Sequence, residues 1–391
     1  MKGRAMPIVM SVAFLMAAGV AAAQQGAQAE ASVAQLLASA NASEEVPPER
    51  CVRDPYAEFN GIAVDPVNNL IVMSAPNIRG VMLYPRTAGT TGNEVTAPLG
   101  MISGPRTHLS GMSGVMVDPL HQEFYGIETD IGDSVAAFPY RARGNTDARV
   151  LAIPIGGWGM AMSPQRREFA VSIEDNDQLM IFGRGAQGVA RPLRQVRGKL
   201  TTLADPKGVA WDVPHHELIV ANEGNWSRSA WDPDYSGGGE YRPPSITVFA
   251  ESANGDAKPL RVIQGKLTGL DAPAGLAVDP VHDEIAVVNS GDGSVLIFGR
   301  TASGNIAPKR IIKGPHTLLK HPIGLALDPV HNELWVANWG HTAEVFERTA
   351  SGDAAPKRVI RSAPPGTPVA GMSVIPALGY DSKRDQLLVP N

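Results

Sequence analysis

Cysteine is nearly absent from the chain, and this limits how the fold can be held together. Of the 391 residues only Cys51 is a cysteine, so a single chain can form no internal disulfide. A chain of this length can bury a large apolar core, and we expect burial and sheet hydrogen bonds to hold the fold. Cys51 aligns with apolar residues of the repeat described below, which predicts a small buried hydrophobe; a reactive thiol or lipid-bearing residue is the alternative.

Basic charge is not in excess either. The sequence has 34 Lys and Arg residues against 39 Asp and Glu residues, for a net charge of −5. A nucleic-acid-binding protein usually presents a basic face, so the composition predicts no nucleic-acid partner.

Long apolar runs are missing from the sequence after residue 20. Residues 8–20 are largely apolar, follow Lys2 and Arg4, and precede three alanines at 21–23. This order is typical of a secretory signal, so we predict a signal peptide at 1–23, an N-terminal segment at 24–48 and one domain at 49–391. No later run reaches the roughly 20 residues of a membrane span. We therefore expect an exported protein, periplasmic or extracellular, with no membrane span.

The common catalytic motifs are also absent. The sequence has no Gly-x-Ser-x-Gly elbow, no His-Glu-x-x-His and no paired cysteines. Their absence leans against an enzyme and leaves the question open.

What the sequence does contain is a repeated phrase, Gly-Φ-Ala-Φ-Asp-Pro-Val-His followed by Glu-Φ-x-Val-x-Asn, which is clearest at residues 324–338. Its first strand closes at Asp65, Asp118, Ser163, Asp212, Asp279, Asp328 and Asp381. A period of about 40–50 residues with short strands in each unit predicts an all-β fold, the β-propeller. We name the four strands of each unit a to d in chain order.

The two ends of the chain bear on the number of blades. The last unit offers only strands a and b, whereas residues 32–37 and 50–52 resemble strands c and d. We therefore predict a seven-bladed propeller of four-stranded blades, closed by a composite blade from both termini, with six blades as the alternative count. Closure of this kind would remove the free sheet edges.

The repeat, with its Gly-Φ-Ala-Val-Asp-Pro, Val-Ala-Asn and Ser-Φ-x-Val-Phe segments, resembles the NHL and YVTN-type repeats of exported bacterial β-propeller proteins. The resemblance covers nearly all of the chain after residue 23. It implies a binding platform by default, and some similar propellers are metal-dependent lactonases or lyases. The similar lactonases use a Glu/Asn/Asp set around the central channel. Such folds support many functions, so the repeat is specific for fold and weak for function.

Unusual residues collect on one predicted face, formed by the b–c and d–a loops and called here the b–c face. The fourth unit carries a long insert at 223–244, which explains the 67-residue interval from Asp212 to Asp279. Loops are where function is usually added to a rigid scaffold. We predict a ligand or partner surface at Trp158, Trp226, Arg228, Trp231, Tyr235, Tyr241, His321, Trp339 and His341. The alternative is that the insert only packs on its own blade.

A second candidate is a ring of polar residues near the end of strand b. Oxygen ligands from several blades around one axis suit a hard cation such as Ca²⁺. The candidate ligands are Glu128, Glu174, Asn222, Asn289 and Asn338. The alternative is that the asparagines simply close the turns. On the opposite face, the recurring histidines of the a–b turn are predicted to be turn residues, at His121, His216, His282 and His331.

Two functions follow from these patterns. The first is an exported scaffold that binds a protein or a small ligand through its b–c face. The second is a divalent-metal-dependent hydrolase or lyase, lactonase-like, with its site at the top of the central channel. A redox or copper site at His321 and His341 is a third and weaker hypothesis.

Overall fold

The computed structural model describes residues 55–129, 132–227, 240–369, 379–381 and 386–388. The predicted signal peptide, the segment at 24–48 and Cys51 lie outside these residues. Within them the fold is all-β, and the prediction of a β-propeller of four-stranded blades is confirmed. The described residues contain no helix long and apolar enough to cross a membrane.

The first three blades are antiparallel sheets whose strands follow in chain order. Blade 1 contains β1 (Ile62–Asp65), β2 (Leu70–Ala75), β3 (Gly80–Pro85) and β4 (Gly100–Ser103). Blade 2 contains β5 (Met112–Asp118), β6 (Glu123–Glu128), β7 (Ser134–Pro139) and β8 (Arg149–Ala152). Blade 3 contains β9 (Gly157–Ser163), β10 (Glu168–Ile173), β11 (Gln178–Gly183) and β12 (Arg194–Arg197).

Blade 4 differs from the others by its insert. It contains β13 (Pro206–Asp212), β14 (Glu217–Asn222), β17 (Ser245–Ala250) and β18 (Arg261–Gln264). Its b–c connection carries a separate two-stranded ladder of β15 (Asn225–Ser227) and β16 (Glu240–Arg242). The insert therefore forms its own antiparallel ribbon beyond the blade.

Blades 5 and 6 return to the regular plan. Blade 5 contains β19 (Pro273–Asp279), β20 (Glu284–Asn289), β21 (Ser294–Gly299) and β22 (Arg310–Ile312). Blade 6 contains β23 (Pro322–Asp328), β24 (Glu333–Asn338), β25 (Thr342–Glu347) and β26 (Arg358–Arg361). The last strands, β27 (Gly379–Asp381) and β28 (Gln386–Leu388), pair with each other in a two-stranded sheet.

The ring closes with six blades, so the seven-bladed count was wrong and the alternative count is correct. The glycine that opens each repeat packs against the backbone of the next blade, which leaves no room for a side chain. A Cβ on Gly275 would lie 2.4 Å from the Ile323 carbonyl oxygen, and a Cβ on Gly324 would lie 2.5 Å from that of Asn60. Blade 6 thus meets blade 1 directly, and no composite blade fits between them.

The closing joint is also bonded at its edges. The Phe59 N–H donates to the Gly340 carbonyl oxygen at 2.6 Å, and Thr90 bridges to Val359 of the outer strand of blade 6. In the c–d loop of blade 1, Arg86 also pairs with Glu333 of blade 6 at 3.1 Å. The Arg86–Glu333 pair joins residues 247 positions apart in the chain, and the other two contacts span still longer intervals, which is the long-range pairing that ring closure requires.

The core lies between neighbouring blades. Each joint has its own cluster of buried aliphatic residues, and strand c of every blade contributes one fully buried aromatic ring. The six rings are Tyr84, Phe138, Phe182, Phe249, Phe298 and Phe346. Burial of such rings and their aliphatic neighbours is the main stabilising term of the ring.

The face formed by the a–b and c–d loops, called here the a–b face, is regular. In five blades an arginine of strand d pairs with the glutamate that opens strand b. Arg310, for example, holds Glu284 through two bonds of 2.6 and 2.9 Å. In blade 1 the two positions are Gly100 and Leu70, as the strand registers show. The strand-d arginines therefore bind carboxylates, while the next blade's c–d loop bridges to strand d.

The a–b turns confirm the structural interpretation of the recurring histidines and correct one of them. His121, His282 and His331 each place Nδ1 2.7–2.8 Å from the aspartate three residues earlier. In blade 4 the residue in this position is His215, which contacts Asp212 at 2.9 Å. His216 occupies the next position, with φ +57°, and contacts Glu251 instead.

Candidate functional site

Side chains at the ends of strand b accept hydrogen bonds from the d–a loops of the b–c face. The amide oxygens of Asn222, Asn289 and Asn338 accept backbone N–H groups from residues 18 positions earlier, at 3.2, 2.7 and 3.0 Å. Glu128 does the same for the Ser110 N–H at 2.6 Å. In blade 1 the strand ends at Ala75, which has no polar side chain.

This geometry favours the turn-closing interpretation of the asparagines over a shared calcium ion. Each amide oxygen is already used by a backbone N–H, and in the described residues no group of three or more His, Cys, Asp or Glu side chains is arranged to hold a metal. The donor set therefore does not fit a cation well. Calcium binding at Glu128, Glu174, Asn222, Asn289 and Asn338 stays a prediction.

A different group of charges lies where strand a of blade 4 meets blade 3. Six residues precede the ring glycines, and only one of them is charged: Asn60, Ser113, Trp158, Lys207, Ala274 and Ile323. Lys207 contacts the Glu174 carboxylate, and its Nζ lies 3.2 Å from Asp205 and 3.3 Å from Glu223. We call Trp158, Glu174, Asp205, Lys207 and Glu223 the channel-mouth cluster.

Trp158 completes the cluster from blade 3. The Lys207 Nζ lies 4.1 Å from the centre of the Trp158 ring, within the range of a cation–π interaction. The lysine side chain is one-tenth exposed, whereas the side chains of Asp205 and Glu223 are 21% and 36% exposed. The ammonium group is therefore buried beneath carboxylates that reach solvent.

Burial favours the neutral form of three glutamates near the b–c face. Burial raises the pKa of Glu174 to about 7, although Lys207 acts in the opposite direction. For Lys207, burial lowers the pKa but the three surrounding carboxylates outweigh it, so the pKa is raised. Burial also raises the pKa of Glu128 to about 7, and that of Glu344 in blade 6 to about 8.

The insert stands beside the channel-mouth cluster. Tyr241 is 57% exposed, and Arg242 donates to the Leu203 carbonyl oxygen at 2.7 Å and lies 3.8 Å from Asp177. Trp226 is the register partner of Tyr241 in the β15–β16 ladder. Arg228, Trp231 and Tyr235 lie outside the described residues. The insert is therefore anchored to the d–a loop before blade 4, and its role as a ligand surface stays a prediction.

The remaining predicted site residues lie on blade 6. The Trp339 N–H donates to the carbonyl oxygen of His321, an exposed residue with φ +48°. His341 is buried, with Nδ1 3.1 Å from the Ala57 carbonyl oxygen and Nε2 3.3 Å from that of Pro368. Because the ring nitrogens of His341 face backbone carbonyl oxygens, its geometry favours a structural tie at the closing joint over copper ligation.

Sequence reasoning missed Lys207, Asp205 and Glu344. The one available signal was positional. Lys207 is the only charged residue immediately before a ring glycine, and Glu344 stands in strand c where other blades have Met82, Ala136, Met180, Thr247 and Leu296. Because the other blades have no charged residue at these positions, the fold does not require the charge there.

Comparison with known proteins supports the fold. No family model and no curated protein matches the sequence. Among solved structures, a chain of the nidogen/laminin complex aligns at 15% identity with a TM-score of 0.50, covering 78% of this chain and 92% of its own. Hydrazine synthase of Kuenenia stuttgartiensis aligns at 13% identity and a TM-score of 0.50, covering 78% and 83%. A functionally unknown protein from Desulfotomaculum acetoxidans DSM 771 aligns at 14% and 0.51, covering 80% and 91%. At these identities the likeness establishes the β-propeller fold alone.

Proposed function

We propose that this chain is a binding scaffold that recognises a positively charged segment of a partner protein, or a small amine, through its b–c face at blades 3 and 4. The observation that carries the proposal is the channel-mouth cluster, in which carboxylates of Asp205 and Glu223 reach solvent above a buried ammonium group. We also propose that the chain is exported and that it is related to the exported NHL and YVTN-type proteins.

Charge supports a cationic partner. Five carboxyl groups surround this region, at Glu174, Asp175, Asp177, Asp205 and Glu223, against the two cations Lys207 and Arg242. Burial raises the pKa of Glu174 to about 7, so this group is only partly charged at neutral pH, but the other four carboxyl groups still outnumber the two cations. This excess of negative charge attracts cations and speeds their encounter with the face. Trp158 adds an aromatic surface of the kind that cations favour.

The scaffold function is also consistent with a neighbour. The nidogen chain with a similar fold is recorded in a complex with laminin, so a propeller of this architecture can serve as a protein-binding platform. The nature of the partner is argued here from the charges of this chain and not from that likeness.

The proposal is tested with a hexalysine peptide titrated into the protein at low salt, with tryptophan fluorescence or calorimetry as the readout. We expect saturable binding that weakens as salt is added. The double substitution Asp205→Asn with Glu223→Gln should weaken it at least fivefold, since each rim charge contributes about 0.5 kcal/mol or more.

The matched control removes two charges from the opposite face. Asp283→Asn with Glu347→Gln changes side chains that are 66% and 56% exposed, and binding should be retained. Equal weakening in both doubles would mean that only net charge matters, and no binding to the parent protein would remove the proposal.

A second candidate, the hydrolase, has one observation in its favour. Glu128 is fully buried, its Oε1 has no hydrogen-bond partner in the described part of the chain, and burial raises its pKa to about 7. A carboxyl group poised near neutral pH suits general acid–base catalysis. Hydrolysis of a simple lactone, with and without added Ca²⁺, that is lost in Glu128→Gln would support this candidate. No turnover above the rate of the buffer would dismiss it.

A further inference from the structure

The ammonium group of Lys207 is enclosed by side chains from two neighbouring blades. On blade 4 it lies 3.2 Å from Asp205 and 3.3 Å from Glu223. On blade 3 it contacts the Glu174 carboxylate and stands 4.1 Å from the centre of the Trp158 ring. Carboxylates and an aromatic face are the groups with which proteins bind alkylammonium ions. The channel-mouth cluster therefore already holds an ammonium group, and the chain itself supplies it.

The packing of the ring uses the backbone of Lys207 and not its side chain. A Cβ on Gly159 would lie 2.4 Å from the Lys207 carbonyl oxygen, just as a Cβ on Gly208 would lie 2.4 Å from that of Ala274. The same close approach is thus made whether the residue is a lysine or an alanine. The other five blades place uncharged side chains at this position. The ammonium group is therefore an addition that the contact between blades does not require.

The acids around the ammonium group also depart from the repeat. The residue after strand b is acidic in blades 3 and 4 alone among the six described blades, the series being Pro76, Thr129, Glu174, Glu223, Ser290 and Trp339. The carbonyl oxygen of Asp205 accepts the N–H of Glu223, and the residues in the same role in blades 2, 3, 5 and 6 are Gly111, Gly156, Ala272 and His321. None of these four is an acid. Three acids and a lysine that the repeat does not call for thus meet at one point.

The cluster has negative charge to spare, and a second cation can reach it. One ammonium group faces three carboxylates, and even with Glu174 protonated, whose pKa burial raises to about 7, negative charge is in excess. The side chains of Asp205 and Glu223 are 21% and 36% exposed, so they are open to a cation from solvent. The lysine carries its charge on a flexible four-carbon stem, which lets the ammonium group move outward.

We propose that Lys207 is a tethered occupant of an alkylammonium site, and that a lysine side chain of a partner, or a small primary amine, enters this site by displacing it. The inference rests on the proposed function and adds to it the bound group and the means by which the free protein keeps the site closed. The competent form is the fraction of molecules in which Lys207 has moved away. The apparent affinity for an amine is reduced by that fraction, so removing the tethered group should raise it.

The first test vacates the site and offers a free amine. Lys207→Ala deletes the side chain beyond Cβ, and n-propylammonium has the same non-hydrogen atoms as the deleted part. We expect n-propylammonium chloride at about 100 mM to raise the melting temperature of this variant by about 2 °C or more above its value in equimolar sodium chloride, because a ligand of the folded state stabilises it.

Three controls accompany this measurement. 1-Propanol, which has the same size but no charge, should not stabilise Lys207→Ala. The parent protein should not respond to n-propylammonium, nor should Lys207→Met, because its unbranched side chain fills the vacated space. If Lys207→Ala folds poorly, its refolding yield with and without n-propylammonium gives the same comparison.

The second test measures hexalysine binding to the same proteins by calorimetry. Lys207→Ala and Lys207→Met remove the same charge, so a difference between them reports the vacated site and not the net charge. We expect hexalysine to bind Lys207→Ala about tenfold more tightly than the parent protein and about threefold more tightly than Lys207→Met.

The outcomes separate this inference from the proposed function. No stabilisation of Lys207→Ala by n-propylammonium, or equal stabilisation by 1-propanol, would overturn the inference. Hexalysine that binds the parent protein and both variants with equal affinity would also overturn it, and would leave the proposed function standing. Stabilisation by n-propylammonium without hexalysine binding to any of the three proteins would remove the proposed recognition of a peptide and retain the alkylammonium site.

Discussion

The two faces of the propeller are built from the same six blades, yet the pKa values of their glutamates are shifted in opposite directions. On the a–b face, carboxylates meet arginines at repeated positions, and hydrogen bonds from Arg261 and Arg310 lower the pKa values of Glu217 and Glu284. On the b–c face, burial raises the pKa values of Glu128, Glu174 and Glu344 to about 7, 7 and 8. The arginines of the a–b face stabilise the charged form of its repeated glutamates, whereas burial disfavours the charged form of these three glutamates of the b–c face.

This difference distinguishes residues that maintain the fold from residues that are candidates for binding or chemistry. Positions that repeat in five or six blades, such as the ring glycines and the Arg–Glu pairs, serve ring closure and blade geometry. Positions that depart from the repeat, such as Lys207 and Glu344, are not needed for those tasks. Departures of this kind are where we expect binding or chemistry.

The largest loss of stability should come from substituting a glycine of the ring that both faces share. Gly275→Ala would place a Cβ 2.4 Å from the Ile323 carbonyl oxygen and should destabilise the protein by about 3 kcal/mol, since backbone cannot easily give way. Gly185→Ala, where a Cβ meets nothing within 4 Å, should change stability by less than about 0.5 kcal/mol. Urea unfolding of both variants measures this, and similar losses would contradict the packing account.

A smaller loss should follow when the a–b face loses one repeated carboxylate. Glu284→Gln leaves Arg310, 2.6 Å away, without its charged partner and leaves Arg348, 2.9 Å away, with Asp279 at 3.7 Å as its remaining carboxylate. We expect a loss of about 2 kcal/mol, because these side chains are largely buried. Asp147→Asn breaks a pair whose side chains are 61% and 70% exposed, and should cost much less, because solvent screens the pair. Equal losses would mean that the repeated pairs carry no special stability.

The pH dependence should distinguish the faces by its sign. The pKa of Glu344 is about 8 in the folded protein and about 4.3 when exposed, so the folded state holds its proton better and this group lowers stability as pH rises from about 4 to 8. Glu344→Gln should therefore flatten the fall of melting temperature over that range. For Glu217 the folded pKa is lowered, so its contribution is present above about 4.3 and is lost as pH falls through the lowered value. Unchanged slopes in Glu344→Gln would contradict the burial of an easily protonated carboxyl group.

Much of the fold could be predicted from the sequence, because the repeat places apolar strands, turn residues and glycines at a fixed period. The turn roles of His282 and His331 followed from their recurrence and are seen in the structure. The blade count could not be predicted this way. The last copy of the repeat resembles strands a and b, but the direct packing of Gly324 on blade 1 leaves no place for a further blade.

The candidate site was less accessible to sequence reasoning. The asparagines at the ends of strand b suggested metal ligands, but their oxygens accept backbone N–H groups from loops 18 residues away. The role of Lys207 could not be predicted because its partner Glu174 belongs to blade 3 and is brought next to it only by the closed ring. Such contacts between blades depend on the arrangement of the ring and have no local signature in the chain.

Direct contact between blade 6 and blade 1 is the central claim, and a double-mutant cycle on Arg86 and Glu333 tests it most directly. The two side chains lie 3.1 Å apart, are largely buried and are 247 positions apart in the chain. With Arg86→Met, Glu333→Gln and the double variant, urea unfolding should give a coupling energy of about 1–3 kcal/mol. A coupling energy near zero, with each single variant destabilised independently, would contradict a six-bladed ring in which these blades meet.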